Sequence, residues 1–220
     1  MDVQTTVLLS TAVVFLLTLI LAVYISTYYT KRRTLNYLFW AAGLWLFAFG
    51  VLLEMAFALG AYSGLLIGTY LFVVALLVEM LAVGSLQLIK SRSAKVIFYA
   101  YSIAVTALLA YYLLTTQIGN LLVNYVVAGN PPMNVILASS LATFPAVAII
   151  LVIAALGYKR TKNKKLLSII IGVIVVSIAG TLYIAAFPAF LYYSEFIGVL
   201  LLWFGFLDFG SLAKGNANRN

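Results

Sequence analysis

"LGYKRTKNKKLL" (Leu156–Leu167) sets five basic residues, Lys159, Arg160, Lys162, Lys164 and Lys165, between two long apolar runs. A charge at the centre of a bilayer costs about 2.5–3.5 kcal/mol even on lenient insertion scales. Five together cannot lie in hydrocarbon, so the stretch marks a reversal of the chain at a membrane surface. The flanking runs, about 134–157 and 165–190, are each long enough for the roughly 20 residues that cross a hydrocarbon core about 30 Å thick.

The rest of the chain repeats this layout. Of 220 residues, 65% are hydrophobic and 8% are charged, against about 25% charged in soluble domains. Seven spans are expected, at about 5–28, 35–60, 65–89, 95–116, 134–157, 165–190 and 193–213. The first run is too long, and its leader "MDVQTT" too poor in basic residues, for a cleavable signal peptide. The expected fold is an all-α membrane protein, a single domain over 1–220 built as a seven-transmembrane-helix bundle.

All 13 Lys and Arg residues fall in four places. Lys31, Arg32 and Arg33 follow span one; Lys90, Arg92 and Lys95 separate spans three and four. The cluster at 159–165 separates spans five and six, and Lys214 and Arg219 lie in the tail. With seven spans these places share one side. The opposite connections, "GAYSG", "QIGNLLVNYVVAGNPPMN" and "LYYSE", carry no basic residue. Positive loops stay cytoplasmic, so the N-terminus is expected outside and the C-terminus inside. The net charge of +8 then reports orientation and contact with anionic lipid headgroups by the three inter-span clusters, and nucleic acid is not expected as a partner. Short loops and compactness point to a multi-pass protein of a prokaryotic plasma membrane. Within the long connection, Leu121, Leu122, Tyr125 and Val126 recur at a spacing that predicts a short helix on the membrane surface. "GNPPMN" makes a turn, with Pro132 just before span five.

Cysteine and histidine are absent. This removes thiolate chemistry and the usual ligand of membrane haem. No metal or cofactor is expected, and no hydrolase or phosphate-binding motif occurs, so the chain does not read as an enzyme.

The acidic residues carry the remaining signal. Asp2 and Glu195 are expected at the external surface. Glu54 lies near the outer end of span two. At 1.5 Å per residue, Glu79 is about 21 Å and Asp208 about 22 Å from the outer starts of spans three and seven. Three readings compete for this depth-matched pair. The two carboxyls could share a proton or bind a cation. Each could instead donate a hydrogen bond to a polar partner, with Ser85, Gln87, Ser211, Tyr99 and Tyr101 as candidates. Or Asp208 could reach the interface and meet Lys214 or Lys90.

A shift of 126 residues lays Gly84–Leu86, "GSL", on the same tripeptide at Gly210–Leu212. It also superposes the basic loops after spans one and five, as a parallel 3+1+3 repeat would.

"NYLFWAAGLWLFAFGVLLEMAFALGAYSG" (Asn36–Gly64) and "VALLVEMLAVGSLQLI" (Val74–Ile89) resemble small prokaryotic multi-span proteins of unassigned function. They also resemble the multi-span modules that precede signalling domains in some sensors. Microbial rhodopsins hold retinal on a lysine mid-way along helix seven. Here Lys214 follows the last span and no other lysine lies within one, so retinal is not expected. The 3+1+3 pattern is similar to that of the SWEET and PQ-loop families, but their Pro–Gln pair is missing. Two functions stand: a small solute or ion transporter using Glu79 and Asp208, with Glu54 secondary, or a non-catalytic sensor, scaffold or accessory subunit. The partners expected are the lipid bilayer and another membrane protein or a second copy.

Overall fold

The computed structural model describes residues 2–123, 125–127, 129–162, 164–184 and 188–206, with side chains in all of these but 176–184, 188–192 and 206. Among the described residues there are seven helices: α1 (Val3–Arg32), α2 (Leu35–Ala58), α3 (Gly64–Leu86), α4 (Arg92–Thr115), α5 (Met133–Thr161), α6 (Lys164–Ile184) and α7 (Pro188–Phe206). α1 to α5 are long and apolar enough to cross a membrane, which makes the chain a membrane-embedded protein.

Local chemistry sets the breaks. α1 stops at Arg33 and α5 at Lys162, both in the left-handed conformation, with their N–H groups donating to Tyr29 O and Tyr158 O, each at 2.7 Å. The side chains of Ser63 and Ser91 accept from Leu66 N (3.2 Å) and Ala94 N (3.3 Å), capping α3 and α4. Pro132 precedes the first turn of α5.

Helices consecutive in sequence run antiparallel. Residue pairs such as Gln4–Ala58 and Ser26–Trp45, or Thr116–Asn134 and Tyr101–Leu141, join opposite ends of successive helices. α1, α2, α3, α5, α6 and α7 follow one another around a closed ring, and α4 packs outside it against α3 and α5. The described basic residues therefore collect at one end of the bundle. Along the axis Val14, Phe47, Val51, Leu77 and Val199, from four helices, form one apolar layer.

α2 and α3 approach closely because glycines face the partner helix, as is common where lipid gives no hydrophobic drive to association. A Cβ on Gly43 would lie 2.9 Å from Leu81, and one on Gly84 would lie 2.4 Å from Trp40 Cδ1.

Pro145 sits inside α5. It has no N–H for the carbonyl of Leu141, and an unmet carbonyl in hydrocarbon is costly. Tyr101 Oη of α4 donates to Leu141 O at 2.7 Å. Tyr101→Phe is expected to lower stability by about 0.6–1.7 kcal/mol, from the average to the largest value measured for such bonds between membrane helices. In a Pro145→Ala background, where the helix supplies its own donor, that cost should fall towards zero. Reversible unfolding of the four proteins in mixed micelles gives the coupling.

Two sequence expectations are corrected. The long connection is not a surface helix but a hairpin, β1 (Leu122–Val123) paired antiparallel with β2 (Val126–Val127). Its valines favour a pleated surface, Tyr125 turns the chain at φ 68°, and Gly129 N closes the base on Leu121 O at 2.8 Å. Leu121, Val126 and Val127 are buried. The second correction concerns the break expected between spans six (165–190) and seven (193–213). Among the described residues α7 already runs from Pro188, a residue suited to the first helical position. "LYYSE" is thus helical, and Glu195 is not at the surface but buried in α7.

Candidate functional site

Glu54, Glu79 and Glu195 are 6%, 1% and 7% exposed, and they form two separate arrangements.

Glu79 faces outward from the ring towards α4. Its Oε2 accepts from Ser102 Oγ at 2.8 Å and Thr106 Oγ1 at 2.5 Å. Ser102 and Thr106 are four residues apart and so lie on one helix face. They bring two donors to a single oxygen, while Oε1 is buried with no partner. The polar residues expected beside Glu79 are engaged elsewhere. Ser85 donates to Leu81 O and accepts from Trp40 Nε1, Gln87 bonds Tyr99 and Val83 O, and Tyr101 serves Leu141. Asp208, Ser211, Lys214 and the second "GSL" lie outside the described residues. Among those described, α7 packs chiefly on α6 and α1, and α3 on α2, α5 and α4.

The second arrangement joins α2, α3 and α7. Tyr70 Oη donates to Glu54 Oε1 at 2.7 Å. Glu195 of α7 is buried towards the same interior, where Val199, one turn along from it, packs in one cluster with Val51 of α2. The Oε2 atoms of both glutamates are buried without a hydrogen-bond partner. All three side chains lie in the third of the bundle remote from the basic end. Glu54 is four residues from the end of α2, Tyr70 six from the start of α3 and Glu195 seven from the start of α7, or about 6, 9 and 10 Å.

Apolar layers enclose the pair. On the side of the basic end, Val51 and Val199, about one helical turn from Glu54 and Glu195, belong to the axial layer. On the other side the hairpin closes over them. Leu121 and Val127 pack with Leu53, Phe57, Ile67 and Tyr70, and Val126 packs with Val7 and Ala58. Tyr70 is steadied by an edge-to-face contact with Phe57, their centroids 5.8 Å apart. Two carboxyls in one low-dielectric space resist joint ionisation unless a proton or cation lies between them, and their free oxygens are the acceptors such a species needs.

Sequence reasoning named Glu54 as secondary and set Glu195 aside as a surface residue. The signal for Glu195 was Pro188, which starts a helix and so puts the acid about two turns inside it. For Glu79 the signal was the hydroxyl pair in span four. Compared with known proteins, the chain matches no family model, no curated protein and no solved structure.

Proposed function

We propose that the chain is a seven-span plasma-membrane transporter of a small solute or ion, coupled to a proton or monovalent cation at Glu54 and Glu195. α6 and α7, of 21 and 19 residues, are about 32 and 28 Å long, which matches the hydrocarbon core. With seven spans, the basic end is cytoplasmic and the hairpin external.

The observation that carries this reading is the pair of buried carboxyls on α2 and α7, each with an unpartnered oxygen, sealed between two apolar layers. A coupling site needs groups that gain and lose charge away from bulk water, with a barrier on either side. The hairpin forms the external barrier and the axial layer the internal one. Glu79 is assigned a structural part, joining α3 to α4 through two hydroxyls.

The test uses purified protein in vesicles, with a pH-sensitive dye following proton movement under an imposed gradient. Glu54→Gln with Glu195→Gln is expected to cut the protein-dependent rate at least tenfold, whereas Glu79→Gln should leave it within twofold. An unchanged rate in the double variant refutes the coupling site. Absence of any protein-dependent flux, together with stoichiometric co-purification with a larger membrane complex, supports the accessory-subunit reading instead.

A further inference from the structure

A cavity of about 400 Å³ opens at the basic end, far from the acid pair. This is within the roughly 300–1,000 Å³ range of sites that enclose a small molecule. Its walls are apolar side chains of α3, α5, α6 and α7, among them Leu81, Ile150, Ile153, Ile169, Val173 and Leu202. Leu88 and Leu156, also in its lining, are 54% and 59% exposed, so the cavity reaches the face of the bundle that meets lipid. Lys90 and Arg160 are exposed at the same opening. Neither makes a hydrogen bond or ion pair among the described residues, and the nearest described acid along the bundle, Glu79, is buried and turned to Ser102 and Thr106 of α4.

We infer that the cavity binds one anionic phospholipid, with an acyl chain among the apolar walls and the phosphate between Lys90 and Arg160. Size, apolarity and charge each select for this occupant. An uncharged amphiphile would leave both cations without a counter-charge, and a free anion would leave the apolar walls unfilled. Basic pockets between membrane helices are suited to lipid headgroups, and a guanidinium matches phosphate with two parallel donors. This site is independent of the transport reading, because its residues take no part in the acid pair.

The full chain is reconstituted in nanodiscs of phosphatidylcholine doped with phosphatidylglycerol that carries a photoreactive acyl chain. Labelling is expected on 150–157 and 166–173. Lys90→Gln with Arg160→Gln should lower it at least fivefold, and Ile153→Trp, which fills the cavity, should do the same. Labelling of the exposed α4 face around Ile97 and Ile103 should persist in both. The headgroup variant changes only exposed residues, so it keeps the test decisive if the tryptophan variant fails to fold. Equal labelling by a phosphatidylcholine probe, or labelling that neither substitution lowers, overturns the site. So does a disulfide between cysteines placed at Ala213 and Leu156 with no lipid labelling, because the cavity would then hold the chain's own end. The absence of native cysteine makes that result unambiguous.

Discussion

Gly84→Leu should destabilise the bundle by about 3 kcal/mol or more, enough to abolish a monodisperse folded species in mild detergent. A Cβ at this position would lie 2.4 and 2.7 Å from Trp40 Cδ1 and Nε1, and 3.1 Å from the backbone oxygen of Asn36. The indole cannot simply swing aside, because its ring packs edge-on against Tyr37 and its Nε1 donates to Ser85 Oγ. Alanine therefore already strains the contact, and leucine adds three more carbons where two helices meet almost backbone to backbone. Overpacking in a well-filled interior costs about 1–3 kcal/mol, and a rigid backbone on one side puts this site at or above the top of that range. Gly50 is the internal control. It lies on the same helix pair, but the nearest atom to its Cβ would be Val73 Cγ1 at 3.8 Å. Gly50→Ala should stay within about 0.5 kcal/mol of the parent or gain slightly, since alanine is the better helix former. Thermal unfolding followed by circular dichroism separates the three proteins.

The second large effect is expected at Glu79. Glu79→Lys should block folding or membrane insertion. The lysine head would enter a site 1% exposed, facing hydroxyls that now donate to an acceptor. The position is seven residues, or about 10 Å, from the end of α3, too deep for the ammonium to reach the basic surface. The penalty is at least the about 2.5–3.5 kcal/mol that a charge costs at mid-membrane. Glu79→Gln keeps an acceptor oxygen for Ser102 or Thr106 and should cost only about 1 kcal/mol. Expression level in the membrane fraction and the unfolding midpoint together distinguish the variants. A lysine variant as stable as the glutamine one would mean that the side chain reaches water by a route absent from this packing.

Helix positions were largely legible because run length and charge breaks are local properties of the chain. α2 begins at the expected residue, and α3 and α5 begin one residue early. The hairpin was misread because the spacing of Leu121, Leu122, Tyr125 and Val126 suits one helix face and equally a chain folded back on itself. Only the cover that Leu121, Leu122 and Val127 form over Phe57 and Tyr70 separates the two. The Glu54–Glu195 proximity was not legible, because it depends on the ring bringing α2 and α7 together across about 140 residues of chain. Matching acids by depth selected Glu79 and Asp208, but depth along the membrane normal carries no information about rotation around a helix. Glu79 turns its carboxyl to α4, and Asp208 lies outside the described residues.

The connection between α4 and α5 contains no ionisable side chain other than Tyr125. Its hold on the bundle is apolar burial and a short backbone ladder. Salt and mild changes of pH act on charges and leave such a closure almost untouched. Temperature acts on it directly, since the hydrophobic contribution weakens on cooling. In the proposed transporter, the hairpin cover on the side of Glu54 is therefore expected to respond to temperature rather than to salt, and so to be tunable separately from the acid pair.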